Sequence, residues 1–565
     1  MNEKAPSTNT ATATAVSPSS SREGMVRNPS RGNTTRNGDL EAGVNGAEHD
    51  GDVPHEHHHR HHMPHLIEDS AIPRAKDFVA RFKGEGRRVP GWTESCKNAL
   101  THSWLNAFVI FIPFSWAAHW AHWHYSIVFA FSFLAIIPLE KLSDYGGEQM
   151  ALYLGASLGD FLVITLDNVV EATLAIILLT HCELKLLQST IVGVILLHLL
   201  LVPGMAFLTG GARIWEQHLK PHPTQLNHSL LTFGVLSLLL PLAFFTALPE
   251  SLPNQTTGAP SSVVVLKRLV ARAAEEGGHG KDVAIQEALM RSVETLAVRD
   301  ATRGTFLKFS RGLAILLLIA YIGSRIYLHN PPGDENSLKP APNAPAAEKH
   351  IEAKLEREEP QISPWFGIVL LTVTVALIAV TAEWLVSSFE PVREQHKISA
   401  EWFGIILLPL LSYAADGCIA ILYFVRAALF FHPDSPDELA KARSIDLSIQ
   451  FVLFWMPLVV LIGWWTHREM SLLFDLWEVA VLIGACFLVN YVTADAKTNW
   501  VEGMVMVLFY VMISLVAWFY DGQPEVHEML RCGPVSETLA LVAATLNGTS
   551  SEGGGEAAGH AARLF

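Results

Sequence analysis

Gly159-Asp-Phe-Leu-Val-Ile-Thr-Leu-Asp-Asn-Val-Val-Glu171, continued by Ala172-Thr-Leu-Ala-Ile-Ile-Leu-Leu179, decides the fold of this chain. The stretch is apolar enough for a bilayer core, yet it carries Asp160, Asp167, Asn168 and Glu171. An ionisable side chain at membrane depth costs about 2.5 kcal/mol or more on insertion scales, so it normally faces a protein interior or a wet cavity. Glu171 is therefore a functional-site candidate. The competing reading puts these carboxylates at a helix end in the headgroup layer. Far downstream, Leu411-Ser-Tyr-Ala-Ala-Asp416-Gly-Cys-Ile-Ala-Ile-Leu422 again sets a carboxylate inside an apolar run. Two such segments, one in each half, point to a transporter whose site lies between two repeats.

Of the 565 residues, 50% are hydrophobic and only 17% charged, and the apolar residues come in blocks. Lipid-exposed spans must satisfy their own backbone hydrogen bonds, so blocks of about 20 apolar residues imply helices. The fold class expected is an all-α polytopic membrane protein. The blocks fall near 102–120, 125–140, 149–179, 186–208, 229–248, 311–328, 364–388, 401–430, 445–466, 472–491 and 499–520, giving about eleven spans. A partition of one helix plus five plus five aligns Glu171 with Asp416. Five helices per repeat force the two copies into opposite orientations, so inverted repeats are expected. The net charge of -15 argues against nucleic acid as a partner. The five cysteines are widely separated, which suggests neither a zinc site nor a disulfide framework.

Between the blocks the composition changes. Residues 1–98 are rich in Ser, Thr, Asn, Gly and charge and read as a disordered cytosolic tail, with a histidine cluster from His55 to His65 that can bind metal or simply be solvated. Basic residues before the first span, Arg74 to Lys97, outnumber the acids there and place the N-terminus in the cytosol. The first helix and first repeat occupy 99–328, with 249–310 expected as a long lumenal loop. Residues 329–363 form a Pro-rich acidic linker on the cytosolic side, 364–520 the second repeat, and 521–565 a lumenal tail. Asn254-Gln-Thr and Asn547-Gly-Thr are weak glycosylation sequons on the lumenal side.

These residues resemble the vacuolar calcium/proton exchangers of the calcium/cation antiporter superfamily. That family's Gly-Asn-Ala-x-Glu stands here as Asp167-Asn168-Val-Val-Glu171, and its Gly-Asn-Ala-Ala-Glu-His as Ser412-Tyr-Ala-Ala-Asp416-Gly417. Its Gly-Ser-Ser-x-Gln reads Asp446-Leu-Ser448-Ile-Gln450, and its Ser-Asn pair reads Leu197-His198. Flanking matches include Pro138-Leu139, Leu199-Leu-Leu-Val-Pro-Gly-Met205, Gly404-Ile-Ile-Leu-Leu-Pro409 and Asn499-Trp-Val-Glu502-Gly503. The resemblance covers roughly 125–520. It implies a secondary antiporter of an internal membrane, most readily calcium/proton exchange into the vacuole, with Glu171 and Asp416 as exchanging and metal-binding carboxylates. Asn168, Ser448, Gln450, Asp167 and Asp446 join them as cation/proton-binding candidates, and Glu148 and Glu383 as supporting acids.

Calcium takes six to eight oxygen ligands, and two carboxylates with Asn, Gln and Ser are of the right kind. Buried carboxylates are inexpensive only when loaded with one divalent cation or two protons, so exchange follows from charge accounting. Ser448 and Gln450 are two apart, so for both to reach one ion that segment has to be unwound. Calcium or another cation, protons and membrane lipid are the partners expected, with ions as cargo and no resident cofactor. The altered signature leaves a monovalent or broad-range cation/proton antiporter and a transport-incompetent regulatory relative as alternatives. An intramembrane aspartyl protease is disfavoured, because Asp144 precedes Tyr145 and Ser157 stands where a glycine is needed before Asp160.

Overall fold

The computed structural model describes residues 79, 82–84, 88–154, 156–211, 217–219, 221–247, 282–329, 359–430, 443–468, 470–523, 526, 529 and 530. The histidine cluster, both sequons and all but the last residues of the acidic linker lie outside the described residues.

Helix α1 (Trp92–Thr101) leads through a 3-10 turn (Trp104–Ile110) into α2 (Phe111–Trp120). The first half continues with α3 (Tyr125–Leu154), α4 (Ala156–Asp167), α5 (Val169–Thr180), α6 (Leu184–Leu196), α7 (Val202–Gly210), α8 (Pro221–Ala247) and α9 (Asp282–His329). The second contains α10 (Pro364–His396), α11 (Ala400–Trp402), α12 (Leu408–Phe430), α13 (Arg443–Gln450), α14 (Met456–Trp465), α15 (Leu476–Val492) and α16 (Trp500–Ala517). Among the described residues, 8 helices are long and apolar enough to cross a membrane, or 9 when the bent α4–α5 pair counts as one span. The other two expected blocks are present but shorter: α15 has 17 residues, and Trp104–Trp120 is divided between 3-10 and α geometry. Helix α9 starts at Asp282, inside the stretch expected to be loop, and its apolar span begins at Arg303 rather than 311.

Three spans contain a π-helical turn: Leu197–Leu201 between α6 and α7, Phe403–Leu407 between α11 and α12, and Phe451–Trp455 between α13 and α14. Each ends two residues before a proline, Pro203, Pro409 or Pro457. Proline has no N–H and its ring crowds the carbonyl four residues earlier, and a wider turn relieves both problems without breaking the helix. Ser448 and Gln450 lie in wound helix, with the π turn starting just after them. The expected unwinding is absent there. The sharp break falls at Asn168 instead, where α4 and α5 meet at 54°.

The Leu184–Gly210 span forms the centre of the bundle, with 78% of its apolar window buried against 28% for Pro364–His396 and for Trp500–Ala517. Leu316, Ile319, Ile322 and Ile326 on α9 and Leu508, Met512, Leu515 and Phe519 on and after α16 remain exposed, as suits lipid-facing surface. Two glycine contacts set the central packing. A Cβ on Gly193 of α6 would collide with the Ile405 backbone, and one on Gly503 of α16 with the backbones of Gly204 and Leu208. Only glycine lets these helices approach so closely.

The ends of the bundle are also tied. Asn98 donates to Gln361 O at 2.9 Å, placing the N-terminal helix and the end of the linker together. At the other end, His181 and Glu383 pair at 2.7 Å. A short antiparallel pair, Gln217–His218 (β1) with Lys497–Thr498 (β2), joins the loop before α8 to the loop before α16. Cys182 is disulfide-bonded, against the expectation from cysteine spacing, and its partner lies outside the described residues. Chain separation does not limit pairing once helices fold back on one another. Cys96, Cys418 and Cys486 are free.

Candidate cation/proton site

The break at Asn168 builds the site. Asn168 has φ -99 and ψ 11, a sparsely populated region that polar residues with short side chains tolerate. No glycine is needed for the bend. Helix α5 restarts at Val169 and carries Glu171 in its first turn, where the helix dipole favours a negative charge.

Asn168 is 0% exposed, Glu171 1% and Gln450 0%. The Asn168 amide donates Nδ2–H to Gln450 Oε1 at 2.7 Å, and Gln450 donates its own amide to Thr165 Oγ1 at 3.1 Å. This chain fixes which way the Asn168 amide faces. Its Oδ1 is buried with no hydrogen-bond donor, as are both Glu171 carboxylate oxygens. Ser412 of the second half lies beside the Glu171 carboxylate, and its hydroxyl donates to Pro409 O at 3.0 Å. His198, in the first π turn, places Nε2 3.8 Å from Glu171 Oε1, and its Nδ1 is buried without a partner. Among the described residues, no three His, Cys, Asp or Glu side chains converge as a metal cage.

The remaining candidates occupy other positions. Asp416, one turn beyond Ser412 on α12, is engaged with Lys141 Nζ of α3, and its side chain is 48% exposed. Lys141 also donates to Asp144 Oδ2 at 2.9 Å. Asp446 lies 3.7 Å from the Arg325 guanidinium of α9. Asp167 is the last residue of α4 and is separated from Glu171 by the break at Asn168. Ser448 is buried and donates to Ser444 O at 3.3 Å. Glu383 pairs with His181, which lies about 15 Å along the helix from Glu171. Glu148 is part-buried on α3, two turns beyond Glu140. The structure thus brings Glu171, Asn168 and Gln450 together and gives Asp416 and Asp446 basic partners. Sequence reasoning missed Glu140 and Lys141, although an adjacent acid and base within the apolar run Ile136 to Leu142 was a signal of the same kind as Glu171.

A second polar cluster sits where α5 turns into α6. Ser189 bonds to both Glu401 and Glu478, the latter at 3.0 Å. Lys185 pairs with Glu401 at 2.8 Å. Tyr520 O–H and the Gln523 N–H, from the segment after α16, donate to Asp475 Oδ2 at 3.2 and 3.0 Å. Burial pushes the Asp475 carboxyl above its ordinary range, with repulsion from Glu401 in the same direction.

Residues 366–519 match the model of the sodium/calcium exchanger protein family. A vacuolar calcium ion transporter of Cryptococcus neoformans var. grubii is 33% identical over 77% of this chain and 77% of its own length. The chain belongs to the vacuolar calcium/proton exchanger family. A Ca(2+)/H(+) antiporter of Synechocystis is 29% identical over 73% of this chain and 96% of its own length. A vacuolar calcium ion transporter of Schizosaccharomyces pombe is 26% identical over 75% and 87%. The solved structure of native YfkE covers 73% of this chain and 100% of its own, with a TM-score of 0.50 and 19% identity, a likeness of fold. As a member of this family the chain is a multi-pass secondary transporter and not an enzyme.

Proposed function

We propose that this exchanger moves calcium from the cytosol into the vacuole in return for protons. One observation carries the reading: three acceptor oxygens, Asn168 Oδ1 and the two of Glu171, are buried one helical turn apart with no donor to satisfy them. Buried acceptors without donors are costly, and a dehydrated cation supplies what they lack. The relatives from Cryptococcus, Synechocystis and fission yeast, named for calcium, support the same cargo.

Exchange then follows from charge. With neither proton nor cation bound, Glu171 is an uncompensated charge in a low-dielectric interior, so the site changes its facing at low cost only when loaded. An acidic lumen loads protons and displaces the cation, and a neutral cytosol does the reverse. Gln450 takes part by holding Asn168. The basic residues before the first span put the N-terminus and the linker in the cytosol. The disulfide at Cys182 favours this orientation, because it lies at the opposite end and disulfides persist outside reducing compartments.

Calcium-45 uptake into acid-loaded vesicles containing the purified chain tests the reading, with sodium-22 as comparator. Uptake that collapses the proton gradient is expected for calcium. No proton-coupled uptake of any cation would place the chain among transport-incompetent relatives. A monovalent cation as cargo is favoured by one observation, that Asp416 is occupied by Lys141, which leaves Glu171 as the acid that the signature supplies.

A further inference from the structure

Resting on the exchange reading, we propose that His198 is a ligand of the transported ion and widens the cargo from calcium to first-row divalent transition metals, zinc foremost. His198 lies in the π turn of the Leu184–Gly210 span and is 5% exposed. The other residues of that turn, Leu197, Leu199, Leu200 and Leu201, are all apolar, so the turn itself offers the imidazole no side-chain partner. Its Nδ1 is buried and has no hydrogen-bond partner among the described residues. On the other side of the ring, Nε2 stands 3.8 Å from Glu171 Oε1 on α5.

A histidine that served packing alone would have its ring nitrogens hydrogen-bonded, as buried polar groups are. Here the ring does not satisfy the carboxylate either, because 3.8 Å is beyond hydrogen-bond reach. The gap fits two ligands of one ion. Donors that each lie about 2.1 Å from a shared metal stand roughly 3.0 Å apart at a right angle and roughly 4.2 Å apart when opposed. The site thus offers an imidazole nitrogen in addition to the Glu171 carboxylate and the donor-free Asn168 Oδ1. Calcium takes oxygen ligands and draws only on the last two. A neutral imidazole suits zinc and its first-row neighbours, so the nitrogen admits that class of ion without removing the oxygens that calcium uses. Histidines that hold a resident metal donate their other ring N–H to a carboxylate or carbonyl, which makes them stronger ligands. His198 Nδ1 has no such support. The metal is therefore held more weakly, as cargo that must be released requires.

The test uses the full chain reconstituted in acid-loaded vesicles, with zinc-65 and calcium-45 uptake measured at buffered free ion so that the histidines from His55 to His65 deplete neither. Wild type is expected to carry both ions in exchange for protons. His198→Asn, which replaces the ring nitrogen with an amide, should raise the apparent KM for zinc about tenfold or more relative to that for calcium. A folded His198→Asn in which that ratio is unchanged or lowered reveals a packing role and overturns the assignment. Thermal unfolding of the variant is followed in parallel. Should it fail to fold, competition in the wild type decides: free zinc that halves calcium-45 uptake at a concentration about tenfold or more below that of magnesium, an oxygen-seeking ion, supports the assignment, and any smaller difference overturns it. A wild-type chain that exchanges calcium and carries no zinc overturns the assignment alone. One that moves no cation overturns the exchange reading itself and this assignment with it.

Discussion

Asn168 of the first half hands its amide N–H to Gln450 Oε1 of the second at 2.7 Å, both side chains being fully buried. The bond closes the two halves over the break in the α4–α5 span. It also leaves Asn168 Oδ1 as the free end of the amide, facing away from Gln450.

Gln450→Leu should therefore act through Asn168. The variant removes the short acceptor of a buried N–H and leaves only longer ones at Ile164 O and Leu447 O, a loss of about 1 kcal/mol, so the unfolding temperature should fall. With only those longer contacts, at 3.4 Å and 3.5 Å, left to hold its amide, Asn168 should also ligate less well, raising the apparent KM for calcium about tenfold. A purely structural role would lower stability and leave KM alone; calcium-45 uptake curves at several concentrations distinguish the two.

Glu171→Gln retains shape and removes the exchangeable charge. Proton-coupled uptake should fall to background while folding survives, since the nearest basic group is a histidine 3.8 Å away and no Lys or Arg is left unpaired. Glu171→Asp should retain partial activity at altered affinity, because the carboxylate is one methylene shorter. Normal exchange by the Gln variant would remove Glu171 from the mechanism.

Lys141→Met leaves Asp144 and Asp416 without their shared cation. Breaking a largely buried pair costs about 3 kcal/mol, less here because the Asp416 side chain is 48% exposed. Adding Asp416→Asn to Lys141→Met should recover much of the lost stability, read as the unfolding midpoint of the double variant against each single one. Additive losses would mean that the Lys141–Asp416 contact carries no coupling.

How much of this was legible in the sequence depends on the range of the interaction. Apolar blocks show the spans because each helix satisfies its own backbone, a local property. Glu171 stands out for the same reason, as an acid that its own segment cannot explain. The π turns are visible in hindsight from Pro203, Pro409 and Pro457, since the cause lies within four residues of each. The matching of Asp416 with Lys141 and of Asp446 with Arg325 depends on which helices are neighbours. No spacing within either helix encodes that, and so two signature acids looked alike to Glu171 while their surroundings differ. The Cys182 disulfide is hidden in the same way.

The segment after α16 provides a pH-dependent prediction away from the exchange site. Tyr520 and Gln523 hold it to Asp475, whose carboxyl is raised above the ordinary range chiefly by burial. A carboxyl whose pKa is higher in the folded state than in the unfolded chain binds its proton more tightly when folded. Its stabilisation is complete below the unfolded value of about 3.9 and is lost as pH rises through the folded value. The purified protein should thus gain in unfolding temperature as the medium is acidified from neutrality toward about pH 5, the direction of an acidic vacuole. Asp475→Asn keeps an N-cap oxygen for α15 and removes the titration, so the acid-side gain should shrink while the helix remains. If the Asn variant shows the same slope of midpoint against pH as wild type, the Asp475 carboxyl is not the group that sets the dependence.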